Sequence, residues 1–212
     1  NGLGLKGFFT AQLAFIQDLG KGKEVCTGDL FFGAVVRQTQ DNAAALFPRW
    51  APDGNRLIYT SFFRSGFPDI YVIDLASRRR DLLIHFKGTN QGARFSPSGQ
   101  QLALIMTGEG APDLYVTNSQ GRAPSRRTRS DAVKSSPCWS PDGSQIAFVS
   151  ERSGGPQIYI MGSDGSNPHR ITFQGTYNTD PSWSPKGDRI AFVGRDAHFD
   201  VFTVGIDGTG MQ

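Results

Sequence analysis

Trp139-Ser140-Pro141-Asp142-Gly143, which leads at once into the apolar run Gln145-Ile146-Ala147-Phe148-Val149, is the most telling segment of this chain. The same five-residue pattern stands at three other places, at intervals of 45, 44 and 44 residues. The other copies are Trp50-Ala51-Pro52-Asp53-Gly54, Phe95-Ser96-Pro97-Ser98-Gly99 and Trp183-Ser184-Pro185-Lys186-Gly187. A repeat of this length indicates one supersecondary unit that is used several times.

Each repeat contains a turn flanked by short strands. Ser at the first position of the turn, Pro at the second and Gly at the fourth favour a type I turn. The unit then divides into an inner strand that ends at the aromatic residue, two central strands and a weaker outer strand, such as Arg80 to Phe86 or His169 to Phe173. Four strands in about 44 residues are typical of a β-propeller blade.

A fifth, degenerate copy opens the chain. The repeat interval, projected backward from Trp50, falls on Lys6, and the next strand is present as Gln12-Leu13-Ala14-Phe15-Ile16. We therefore predict one all-β domain over residues 1–212, a β-propeller with about five four-stranded antiparallel blades. The predicted blades are 1–41, 42–87, 88–131, 132–175 and 176–212. The last is expected to be incomplete, because no outer strand follows the turn at Asp207-Gly208.

The aromatic residues that end the inner strands are predicted to be structural. A four-stranded sheet cannot bury its own faces, so each ring is expected to pack against the neighbouring blade. Cys26 falls in the second central strand of the first repeat and Cys138 beside Trp139, so we expect no disulfide between them.

Charge and composition exclude few partners. The chain has 22 Lys and Arg against 19 Asp and Glu, and this small excess does not indicate nucleic-acid binding. We interpret Arg78 to Arg80, and the group from Arg122 to Lys134, as an exposed basic rim around the outer strands. No apolar run approaches the ~20 residues that span a bilayer.

A search for catalytic motifs predicts no enzyme. Gly-x-Ser-x-Gly is absent, and so are His-Glu-x-x-His and paired cysteines. His85, His169 and His198 occupy different phases of the repeat and are not expected to converge. We therefore expect no catalytic residue, no metal site and no cofactor.

Several segments resemble the TolB family, the periplasmic propellers of the Tol-Pal system. The similar residues are Pro181 to Val193, Ile158 to Ile160 and Ser163 to Asn167. The opening Gly4-Leu5-Lys6-Gly7-Phe8-Phe9, followed by Ala14-Phe15-Ile16, is similar to the family's passage from a small α/β domain into the first blade. The resemblance extends over essentially the whole chain.

This resemblance implies a non-enzymatic periplasmic scaffold with six blades in the complete protein, acting in outer-membrane integrity and cell division. Its propeller would bind the peptidoglycan-associated lipoprotein Pal over the channel mouth, and an N-terminal domain absent here would engage TolA. The association with the membrane would be peripheral, through Pal. The implied Pal-binding residues lie in the loops that enter the inner strands: Leu46, Phe47, Thr89, Asn90, Gly92, Ser135, Ser136, Asn178, Thr179 and Asp180.

Other interpretations stay open. The loop residues could simply form turns, since connecting loops are polar in any fold. Similar repeats occur in the substrate-gating propellers of serine peptidases of the dipeptidyl-peptidase or tricorn type, which would require a hydrolase domain. A third alternative is a propeller that is itself an enzyme, such as a polysaccharide lyase with histidines in its channel. The third repeat departs most from the pattern, with Phe95 and Ser98 in place of Trp and Asp.

Overall fold

A computed structural model describes residues 11–108 and 110–212 of the chain. These residues form five antiparallel sheets that follow one another in sequence. The first sheet contains β1 (Gln12–Asp18), β2 (Lys23–Asp29) and β3 (Val36–Arg37). The second contains β4 (Ala45–Trp50), β5 (Arg56–Ser61), β6 (Asp69–Asp74) and β7 (Arg80–Ile84).

The remaining three sheets repeat this order. The third contains β8 (Asn90–Phe95), β9 (Gln101–Met106), β10 (Asp113–Asn118) and β11 (Ser125–Arg126). The fourth contains β12 (Lys134–Trp139), β13 (Gln145–Ser150), β14 (Gln157–Gly162) and β15 (His169–Arg170). The fifth contains β16 (Tyr177–Trp183), β17 (Arg189–Arg195) and β18 (Phe199–Gly205). The prediction of an all-β, five-bladed propeller is confirmed.

Two of the sheets have three strands: the first, for which four were predicted, and the fifth, whose outer strand was expected to be missing. The inner strand predicted for the first repeat, around Lys6, lies outside the described residues. In the fifth sheet β18 is followed by a turn, after which the amide of Gln212 donates to the Thr203 carbonyl at 3.0 Å. That single backbone pairing occupies the place where other sheets carry their outer strand.

The repeated turn has the predicted geometry. In all four copies the amide of the glycine donates to the carbonyl of the residue three positions earlier, at 2.8–3.0 Å. In the fourth sheet, hydrogen bonds from the Ser140 hydroxyl and from the Ser144 amide and hydroxyl lower the pKa of Asp142 to about 2. The turn therefore holds this carboxylate ionised while it joins the inner strand to the first central strand.

The core lies between adjacent sheets, as the sequence predicts. Trp139 packs with Ile105, Leu114 and Val116 of the preceding sheet, and its indole Nε1 donates to the Arg94 carbonyl at 3.2 Å. Trp183 and Phe95 pack against the fourth and second sheets in the same way. Each closing aromatic residue thus joins its own sheet to the one before it.

Three further properties bear on function. Cys26 and Cys138 are both buried and carry free thiols. No helix among the described residues is long and apolar enough to cross a membrane. Within the same ranges, no three His, Cys, Asp or Glu side chains lie close enough together to hold a metal ion.

Candidate functional site

Every inner strand from the second sheet to the fifth has an irregularity at the same place. The pairing of β4, β8, β12 and β16 with the next strand shifts register shortly before the closing aromatic residue. In each strand the third residue before that aromatic has a positive φ: 54° at Phe47, 66° at Gly92, 49° at Ser136 and 50° at Asp180. Such bulges redirect side chains, and here they do so once in each of these four sheets.

The four redirected positions meet at one cavity, which we call the mouth cavity. It has a volume of about 50 Å³ and is lined by Phe47, Arg49, Gln91, Gly92, Arg94, Ile105, Ser135, Ser136 and Asp180. Five of the ten residues predicted to bind a partner line it: Phe47, Gly92, Ser135, Ser136 and Asp180. The structure therefore brings together predicted residues from four separate loops.

A hydrogen bond joins two of these loops across neighbouring sheets. The Ser136 hydroxyl donates to Oδ1 of Asp180 at 2.8 Å. Phe47 lines the same cavity and is 42% exposed. The mouth cavity thus combines an exposed aromatic ring with hydroxyl and carboxylate groups.

Asn90 and Asn178 are buried instead, and neither lines the mouth cavity. The Asn178 amide donates to Oε1 of Gln157 at 2.8 Å and to the Gln174 carbonyl at 2.9 Å. Asn90 donates to the Phe86 carbonyl at 2.8 Å. These side chains fix the loops that carry the exposed positions.

The remaining predicted residues, Leu46, Thr89 and Thr179, are half-buried and also lie outside the lining of the mouth cavity. The backbone amide of Thr89 donates to Oγ1 of Thr107 at 2.7 Å. Leu46 and Thr179 are next to Phe47 and Asp180, which line the cavity. Thr89 is next to Asn90, which fixes its loop.

Lys134 occupies the position equivalent to Asn90 and Asn178, and its assignment to the exposed basic rim was wrong. Its side chain is completely buried, and its ammonium nitrogen lies 2.8 Å from Oδ1 of Asp113. Asp113 also pairs with Arg126 and accepts a hydrogen bond from Thr128 at 2.7 Å. Burial of a lysine is possible here because a buried carboxylate faces it.

Sequence reasoning missed Arg49 and Arg94 in the mouth cavity. Each stands directly before a closing aromatic residue, Trp50 and Phe95 respectively. Burial, and then the nearby positive charge of Arg94, lower the pKa of Arg49, while the Asp180 carboxylate partly offsets this. The sequence did contain a signal for them: both arginines occupy the same position in the repeat, and residues at equivalent positions face the same direction in every blade.

Comparison with known proteins assigns the fold to a family. The family model for the TolB beta propeller domain matches residues 3–212. The chain belongs to the TolB β-propeller family.

Relatives of this TolB-family propeller are longer than the chain. The Tol-Pal system protein TolB of Alcanivorax borkumensis is 38% identical over 71 residues, which are 34% of this chain and 16% of that protein. The crystal structure of TolB from Acinetobacter baumannii superposes with a TM-score of 0.89 at 26% identity. That superposition covers 97% of this chain, which spans only 53% of the Acinetobacter chain.

Propellers of other proteins share the fold. The crystal structure of a puromycin hydrolase S511A mutant matches with a TM-score of 0.70 over 90% of this chain and 32% of the hydrolase. The identity is 14%, so this likeness concerns the fold alone.

Proposed function

We propose that this TolB-family propeller is a non-enzymatic protein-binding scaffold of the Tol-Pal envelope system, and that it binds Pal at the channel mouth. The observation that supports this most directly is the convergence of four bulged inner strands on the mouth cavity. A rigid sheet scaffold that presents loop residues at one end is a common arrangement for recognition.

The size of the mouth cavity favours a protein partner over a small molecule. Pockets for small ligands usually measure ~300–1,000 Å³, whereas the mouth cavity measures about 50 Å³. A cavity of that size accepts one side chain of a larger partner. The partner would gain most of its contact area from the loop residues around the cavity rather than from inside it.

Within this proposal the ten predicted residues have two roles. Phe47, Gly92, Ser135, Ser136 and Asp180 would contact Pal directly, because they line the mouth cavity. The other five would hold the contacting loops: Leu46, Thr89, Asn90, Asn178 and Thr179. We further propose a periplasmic location with peripheral membrane association through Pal, and contact with TolA through a domain outside this chain.

A gating role in a serine peptidase is the second candidate function. The puromycin hydrolase match supports it only at the level of the fold. The absence of Gly-x-Ser-x-Gly from the chain argues against catalysis by these residues themselves. Release of a chromogenic product from peptide substrates by the full-length protein would favour this second function.

The first prediction tests the mouth. We expect Ser135→Arg to weaken Pal binding by tenfold or more, since a long charged side chain would fill a cavity of about 50 Å³. The measurement is calorimetric titration of the full-length protein with purified Pal. Ser125→Arg is the matched control, because Ser125 is exposed on the outer strand β11, away from the mouth.

Three results are informative. Binding that is lost only in Ser135→Arg supports the proposed site. Equal binding by both variants would contradict the placement of Pal at the mouth. No binding by the folded wild-type protein would contradict the proposed function itself.

A further inference from the structure

Two arginines occupy the same position in neighbouring blades and face the same channel. Arg49 lies on β4 and Arg94 on β8, each one residue before the end of its inner strand. Both line the mouth cavity, and both also line a second cavity of about 280 Å³, which is bounded by residues of the repeated turns. The two arginines therefore lie between the mouth and the end of the inner strands that carries these turns.

The charge around the two arginines is unbalanced. The second cavity has no carboxylate among its described lining residues, since its other walls are aromatic rings, prolines, Cys138 and Ser140. The mouth cavity contributes one carboxylate, Asp180, which already accepts the hydrogen bond from Ser136. Two positive groups thus share a partly buried space with one negative group.

The guanidinium groups have few hydrogen-bond partners among the described residues. Arg49 donates to the carbonyl of its own neighbour Pro48 at 3.0 Å. Within residues 11–108 and 110–212, no ion pair is found for Arg49 or Arg94, and no side-chain hydrogen bond for Arg94. A guanidinium has five donors in a planar fork, and that fork fits a carboxylate in bidentate geometry.

We propose that Arg49 and Arg94 form a carboxylate-binding site inside the channel, which takes an acidic side chain of the protein docked at the mouth. That the carboxylate comes from Pal rests on the proposed function. The affinity of the two arginines for a carboxylate does not. Because both arginines line the mouth cavity, an acidic side chain of a protein docked there can reach them.

The test uses a double variant, Arg49→Gln with Arg94→Gln, which removes both charges and keeps a polar amide on each side chain. Its matched control is Arg78→Gln with Arg122→Gln, because these two arginines are exposed on turns between strands, at the end of the blades opposite the mouth. Both variants lose two positive charges, so general electrostatic attraction changes equally. A third variant, Arg49→Lys with Arg94→Lys, keeps the charge and removes the planar fork.

Two measurements distinguish a carboxylate that Pal supplies from a free carboxylate ion. The first is calorimetric titration of each full-length variant with purified Pal. The second is the thermal midpoint of each variant in sodium acetate, compared with sodium chloride at equal ionic strength. Acetate offers the carboxylate alone, so its effect does not depend on Pal.

The expected result is Pal binding that is at least about tenfold weaker in the Gln variant than in the control, with the Lys variant between them. We also expect acetate to raise the midpoint of the wild type and not of the Gln variant. If acetate raises the midpoint of the wild type but Pal does not bind, the arginines form a carboxylate site. In that case the carboxylate does not come from Pal, and the proposed function is refuted.

Equal Pal affinity in the Gln variant and the control would overturn the protein source of the carboxylate while leaving the proposed function intact. The absence of an acetate effect in that case would overturn the site as well. Circular dichroism of each variant establishes that it is folded before the comparison.

Discussion

At the residue scale, the junctions between neighbouring sheets use different chemistry at equivalent positions. Asp113 and Lys134 form a charged pair between the third and fourth sheets. Gln157 and Asn178 occupy the equivalent positions one repeat later and form a neutral hydrogen bond of 2.8 Å. Between the second and third sheets, Asp69 lies 2.9 Å from Nδ1 of His85 and 3.5 Å from the Asn90 amide nitrogen.

The charged junction leads to a prediction about unequal single variants. We expect Asp113→Asn to lower the free energy of unfolding by about 3–5 kcal/mol, because it leaves the Lys134 ammonium buried without a carboxylate. Lys134→Asn should cost less, since Arg126 and Thr128 still bond to Asp113. Urea denaturation of each variant measures both effects.

The neutral junction of the chain supplies the control. Asp113→Gln combined with Lys134→Asn reproduces the Gln157–Asn178 pair, and we expect this double variant to recover most of the lost stability. If the double variant is as unstable as Asp113→Asn, a neutral pair cannot replace the charged pair at this junction, and this interpretation is contradicted.

At the element scale, the bulge in each inner strand forces one residue into the left-handed region. Gly92 adopts that conformation without steric cost, whereas Phe47, Ser136 and Asp180 do not have that freedom. For a bulky residue such as Phe47, a φ of 54° is a true outlier. Strain of this kind concentrates at functional sites, which agrees with the proposed role of the mouth.

The bulge predicts an inverted order of stability for two variants at Phe47. Both Phe47→Ala and Phe47→Gly remove the same ring, but only glycine relieves the left-handed strain of about 1–2 kcal/mol. We therefore expect the Gly variant to be more stable than the Ala variant by about 1 kcal/mol. Inside a regular strand the order is the opposite. Urea denaturation of the two variants decides the order.

A matched pair at a regular position checks this reasoning. Val149 lies in β13, where its backbone does not adopt a positive φ, and there the Ala variant should be the more stable of Val149→Ala and Val149→Gly. If Phe47→Ala also proved the more stable at its own site, the bulge would have relaxed and the strain assigned to Phe47 would be absent.

At the scale of the whole molecule, the sheets are held together by apolar clusters between blades rather than by a central core. One such cluster joins the third and fourth sheets through Trp139, Ile105 and Phe148. Comparable clusters join each of the other adjacent pairs. Stability is therefore distributed over the interfaces between neighbours, as in other repeat architectures.

This arrangement predicts that a closing aromatic residue contributes strongly to stability. Trp139 is only 6% exposed, and we expect Trp139→Ala to cost about 3–5 kcal/mol. Phe67→Ala is the control, because Phe67 is 65% exposed, and its loss should stay within about 0.5 kcal/mol. The measurement is the urea midpoint of each variant. Equal midpoints would contradict the role of Trp139 between the sheets.

The sequence by itself determined the repeat, the strand order within each repeat, the turns and the structural role of the aromatic residues. These features follow from local patterns, since turn residues and alternating apolar residues act over a few positions. The family followed from the same segments. Five of the ten residues predicted at the mouth also line the cavity there, because loops at one phase of a repeat gather at one end of the blades.

Only the tertiary structure decided which groups face one another across blades. It buried Lys134 against Asp113 and brought Arg49 and Arg94, from different sheets, to the same channel. Local patterns cannot give such contacts, because they depend on the packing of one sheet against the next. For the same reason the sequence did not reveal the left-handed backbone at Phe47, which results from the register of two paired strands.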